Sequence, residues 1–67
     1  MMAVGDPIDE LGMLLRDGGG FLLQRDLGGR WRLDMHRMPV DLVAKRVRVI
    51  GIQAGEELVD VEGVQPA

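Results

Sequence analysis

The chain has no cysteine, serine, threonine or tyrosine, one phenylalanine, one tryptophan and one histidine. Without cysteine there is no disulfide staple and no thiolate metal site. The missing hydroxyls and thiols remove the usual nucleophiles and leave only carboxylates and Lys45 for covalent chemistry. His36 stands alone, and a metal or catalytic histidine needs partners that the composition does not supply. The pair Asp60 and Glu62 lies two apart on an extended segment, with nothing to bury one and raise its pKa. We expect no enzyme, no catalytic residue, no metal and no cofactor. Long apolar runs are also missing, which excludes a helical membrane span, and no basic start precedes an apolar segment as an export signal requires. The expectation is a cytoplasmic protein.

Sixty-seven residues make one domain close to the lower limit for folding around a single core. The net charge of −3 is unevenly spread. Residues 1–15 carry three acids and no base, and residues 49–67 carry four acids and no base. All eight basic residues lie between Arg16 and Arg48. An acidic whole disfavours nonspecific polyanion binding, although a basic face can survive inside it.

The chain is organised around residues 20–35. Trp31, Leu33 and Met35 alternate with Arg30, Arg32 and Asp34, the period of two that a strand turns into two faces. Phe21 and Leu23 alternate with Leu22 and Gln24 in the preceding strand. A three-residue loop, Leu27-Gly28-Gly29, opposes Leu23 to Leu33, Phe21 to Met35 and Asp26 to Arg30, with Trp31 inside and one glycine at positive φ.

Residues 1–10 read as a flexible start, and residues 11–65 as the domain. Residues 8–11 fit a strand or a helical turn equally. Residues 12–16 are a strand with two apolar faces, which suits a strand that bends at Gly12 and serves both halves of a closed barrel. Asp17 and three glycines form a hairpin turn; no Lys-Ser/Thr and no helix follow them, as a phosphate-binding loop demands. Pro39 opens a short helix or 3₁₀ plug in which Val40 shares a face with Val43 or Ala44. Residues 46–52 form the fourth strand, with Val47 and Val49 inward and a bulge near Gly51. Residues 53–56 turn the chain, and residues 57–64 form the fifth strand, with Val59 and Val61 inward.

This order, three strands, a short helix and two strands, is that of a small five-stranded OB-like barrel. An SH3-like barrel and a twisted meander are the alternatives. The segments GGGFLL, GGRWRLD, RVRVIG and ELVDVEGV, with Gly12 and Leu14 before them, resemble a family of short uncharacterised bacterial proteins grouped as a domain of unknown function. The resemblance runs from about Leu11 to Val64. Its motifs are glycine and core positions, so it implies a fold and transfers no site residue.

Two functional readings follow. The first is a non-enzymatic protein-interaction module with an unidentified protein partner that also self-associates as a homodimer through the outward residues Leu22, Ile50 and Ile52. The second is a single-stranded nucleic-acid binder using Arg30, Arg32, Arg16 and Arg48 as a basic face. The second is weaker, because both aromatic rings are assigned to the core and base stacking needs exposed ones.

Overall fold

A computed structural model describes residues 4–37 and 39–67. The chain is mainly β. Its strands are β1 (Pro7–Asp17), β2 (Gly20–Arg25), β3 (Arg30–Asp34), β4 (Arg46–Gln53) and β5 (Leu58–Pro66), with a 3₁₀ turn at Val40–Leu42 between β3 and β4. They form one sheet in the order β1-β2-β3-β5-β4, and β4 returns to β1, so the sheet closes in a ring. All pairings are antiparallel except β3 with β5, which is parallel and three residues long, from Arg32↔Leu58 to Asp34↔Asp60.

Period-two alternation sends one set of side chains into the ring: Ile8, Leu14, Phe21, Leu23, Trp31, Leu33, Val47, Val49, Val59 and Val61. Every interior residue expected on β2 to β5 is there, and Leu14 joins them. Trp31, 2% exposed, is the largest fully buried side chain.

β1 begins at Pro7 and not at Gly12, so Pro7 to Glu10 belong to the sheet and not to a flexible start. Residues 1–3, also expected to be flexible, lie outside the described residues. β1 pairs with β4 through Pro7–Met13 and with β2 through Gly12–Asp17. It changes neighbours at Gly12, where a Cβ would run into the backbone carbonyl of Gln24. The change of neighbours thus falls at the glycine where a bend was expected.

The β2–β3 hairpin keeps its loop length and shifts its position. The register is Phe21↔Leu33 and Leu23↔Trp31, in place of Phe21 to Met35 and Leu23 to Leu33. Arg25 N–H donates to the Gly29 carbonyl and Gly28 N–H to the Arg25 carbonyl, both at 3.0 Å, so the three-residue loop is Asp26-Leu27-Gly28. Gly28 and Gly29 both hold positive φ, 99° and 82°. The displacement is two residues, an even number, so each side chain stays on its expected face. The partner of Asp26 changes with it: Asp26 pairs with Arg46, and Arg30 donates to Gln24 Oε1.

The segment between β3 and β4 is one 3₁₀ turn and no longer helix. Leu42 and Val43 pack against the core, whereas Val40, expected on the packed face, is exposed. This segment is tied to β1, because Leu14 N–H donates to the Lys45 carbonyl and Ala44 N–H to that of Leu14, at 3.0 and 2.7 Å.

The register between β4 and β5 shifts at Ile50/Gly51, where a bulge was expected. The unmatched residue is Glu62, on β5: Ile50 faces Gly63 and Gly51 faces Val61. β4 itself alternates without a break through Val47, Val49, Gly51 and Gln53. Gln53 is thus the last inward residue of β4 and not the start of a turn. The bulge reverses the phase of β5, which brings Val64 against the core.

Candidate interaction surfaces

The outer face of the ring carries a row of apolar side chains. On β1 the outward positions are Asp9, Leu11, Met13 and Leu15, flanked on β4 by Ile52 (opposite Pro7) and Ile50 (opposite Asp9). On β2 they meet Leu22, opposite Leu15. Leu11, Met13 and Ile52 are 40%, 45% and 41% exposed, and Leu15, Leu22 and Ile50 are half-buried. Ile50 and Ile52 therefore sit together, and Leu22 lies at the far end of the wall. Leu11, Met13 and Leu15 join them. Sequence reasoning left open which face of β1 is outward, because Glu10 falls between Ile8 and Gly12 on the face that turns out to be inward.

Charges border this row. Arg48 donates from Nε and Nη2 to the two carboxylate oxygens of Asp9, at 2.7 and 2.5 Å. That bidentate bond, reinforced by the guanidinium charge, holds the Asp9 carboxyl below the ordinary carboxylate range and raises Arg48. Arg46 and Asp26 pair close to Met13.

The four arginines proposed as a basic face do not share one. Arg30 and Arg32 point outward from β3, beside Gln24 and Leu22 of β2. Arg48 lies on the β1–β4 wall and is occupied by Asp9. Arg16 has the inward parity of β1 and sits at the end of the ring, its guanidinium 5.8 Å from the centre of the Phe21 ring. Phe21 and Trp31, at 6% and 2% exposure, present no ring to a base.

A cluster that the sequence did not announce fills one end of the ring. Glu10 has the inward parity of Ile8 and Gly12, and its carboxylate accepts from Trp31 Nε1 at 2.7 Å and from Arg25 Nε at 2.5 Å. The Arg25 guanidinium lies 5.6 Å from the centre of the indole ring. The indole thus has its one donor satisfied and a cation over its face, which allows full burial of a large ring. Gln53, also buried, donates to the Gly55 carbonyl at 2.8 Å, and its Oε1 has no partner.

Two open grooves mark the surface. One, about 420 Å³, lies across β2, β3 and the start of β5, lined by Leu22, Arg32, Asp34 and Leu58 among others. The other, about 450 Å³, runs between the chain leaving β3 (Met35, His36, Arg37, Pro39) and the second half of β5 (Val61, Glu62, Gly63, Val64). His36 stands on its rim, 3.9 Å from Asp60. Among the described residues no group of three or more His, Cys, Asp or Glu is placed to hold a metal ion, and no helix is long and apolar enough to cross a membrane.

No match to the chain is found among curated proteins or solved structures. A match to a protein family covers residues 11–67, nearly the whole of the ring. The chain belongs to the family described as protein of unknown function (DUF5818).

Proposed function

We propose that this chain is a non-enzymatic, OB-like protein-interaction module that self-associates through the outer wall of β4, β1 and β2. The OB-like assignment is supported by the ring order, by the parallel β3–β5 pair that a Greek-key path requires, and by the short helical turn before β4. One observation carries the interaction reading: Ile52, Ile50, Leu11, Met13, Leu15 and Leu22 share this outer wall, with the Asp9–Arg48 pair set among them. Single exposed apolar residues need no account, but several on one wall of so small a surface are what monomers seldom leave in water. A second copy can cover this wall about a twofold axis, with the mutually neutralised Asp9–Arg48 pair inside the contact and the Asp26–Arg46 pair at its edge.

Sedimentation at micromolar concentration tests this. The native chain is expected at twice its 7.4 kDa mass, and Ile50→Thr with Ile52→Thr at the monomer mass with an intact fold. A native chain that stays monomeric and folded at high concentration rejects self-association.

A second reading, single-stranded nucleic-acid binding, is favoured by Arg32, which lines the groove on β2 and β3, and by Arg30 on the same strand face; neither makes an ion pair among the described residues. It ranks lower because both aromatic rings are interior, and stacking supplies much of the affinity at such sites. Micromolar binding of an oligonucleotide that weakens steeply with salt and is lost on Arg30→Glu with Arg32→Glu reverses the order.

A further inference from the structure

We infer that the second half of β5 is a strand-addition edge that takes an extended peptide of another protein, apolar at alternate positions and carrying Lys or Arg to meet Glu62. β5 runs to Pro66 and pairs with β4 along that length, but β3 leaves it after Asp34↔Asp60. Among the described residues, 61–66 therefore have a strand on one side only. The hydrogen bonding identifies the groups left over. Ala67 N–H donates to the Arg46 carbonyl, and an antiparallel ladder alternates, so Gln65 and Gly63 bond to β4 while the amide of Val64 points the other way. Pro66 has the same parity as Val64 and lacks an N–H, and proline is tolerated in strands where that position faces no partner.

What lies on that side is the groove of about 450 Å³, where Met35, Pro39, Val61 and Val64 share the lining with His36, Arg37 and Glu62. A backbone edge without a partner among the described residues, beside a partly apolar trough, matches an extended peptide: its main chain completes the ladder and alternate side chains enter the trough. The charge distribution chooses the occupant. Residues 49–67 carry four acids and no base, so a second β5 would bring like charge against like charge. Glu62 makes no ion pair among the described residues, and a cationic residue on the incoming strand gives it one on the β5 side of the groove, across from Arg37 on the opposite wall.

This inference rests on the protein-binding reading but uses a different surface, so the two fail separately. Hydrogen exchange of the unaltered chain comes first. The Val64 amide is expected to exchange fast while Gly63 and Gln65 are protected, and a protected Val64 in the free monomer overturns the inference. Short random peptides are then displayed and selected on the native chain. The expected winners alternate apolar residues with Lys or Arg, slow Val64 exchange on binding, and lose affinity by about tenfold or more, or 1.4 kcal/mol, on Val64→Pro or Glu62→Lys. Ile50→Thr with Ile52→Thr leaves that affinity unchanged. Peptides that bind Val64→Pro as well as the native chain, or no enrichment at all, reject the edge. A dimer that Val64→Pro splits assigns the edge to a second copy and overturns the peptide.

Discussion

β1 and β5 are the two longest strands, eleven and nine residues, and both outrun a neighbour. β1 pairs with β4 in its first half and with β2 in its second, and loops take up backbone groups that neither strand reaches. Asp26 N–H donates to the Leu11 carbonyl, and the chain before β4 bonds Leu14 on both its N–H and its C=O. β5 loses β3 after Asp60, and no comparable loop bond covers residues 61–66 among the described residues. Buried backbone groups must be paired, whereas those at an open edge can be left to water or to a partner. The β1 side holds the ring together. The β5 side closes it by three parallel pairs and leaves residues 61–66 with one strand neighbour among the described residues.

Trp31 joins the two sides, since it belongs to β3, next to the β5 seam, and is held by Glu10 of β1. Its truncation to Ala should have the largest effect, about 3–5 kcal/mol, comparable to the whole stability of so small a domain. Denaturant unfolding followed by circular dichroism checks this, and a cooperative Trp31→Ala transition near the native midpoint contradicts the packing. Trp31→Phe keeps most of the ring but leaves Glu10 without the indole donor, a smaller loss of about 1–2 kcal/mol.

A pair of glycines sets β1 directly against β5. A Cβ at Gly12 would strike the backbone of Gln24, and the β1–β2 ladder must break for that backbone to move. Gly12→Ala should cost about 3 kcal/mol, the upper end for overpacking. At Gly63, on the bulged half of β5, a Cβ meets nothing within 4 Å. Gly63→Ala should change stability by less than about 0.5 kcal/mol. Equal tolerance at the two positions breaks the comparison.

The same contrast should appear in amide exchange without any substitution. Amides shared by β1 and β4 should open only with the whole chain, and those shared by β3 and β5 earlier, in a separate step. One uniform opening energy around the ring contradicts a weak seam.

These differences also mark what was legible in the sequence. Alternation revealed the interior of β2 to β5, because a wrong register slipped by an even number of residues and parity survived. It could not place Asp26, whose partner depends on the register itself and on the distant β4. Nor did it extend β1 back to Pro7: Ile8-Asp9-Glu10 puts a carboxylate at an inward position, a pattern that argues against a core strand until Trp31 and Arg25 are seen to receive it. Gln53 was hidden for the same reason. A bulge was expected near Gly51 because the apolar alternation is lost in the sequence at Ile50-Gly51-Ile52. β4 in fact alternates through Gly51, which admits the close approach of β5, and the extra residue is Glu62 on the other strand, which carries no mark. The exposed row on β1 had its ends in Leu22, Ile50 and Ile52, and its middle waited on the phase of β1.

The smallest effect expected is that of the Asp9–Arg48 pair, an exposed contact on the β1–β4 wall. The two hydrogen bonds from Arg48 depress the Asp9 pKa in the folded chain below its ordinary 3.8. A group with a depressed folded pKa stabilises the fold above its unfolded pKa and loses that contribution as pH falls through the folded one. The thermal midpoint of the native chain should therefore exceed that of Asp9→Asn slightly at neutral pH. The gap should hold down to about pH 4, shrink below it, and vanish once Asp9 is protonated in the folded state. Taking the difference between the two chains cancels the acid response of the other carboxylates. Added salt should narrow the gap at neutral pH, because both partners are solvent-exposed. A gap that persists unchanged into strong acid assigns the effect of Asp9→Asn to packing beside Ile50 and not to the charge on the wall.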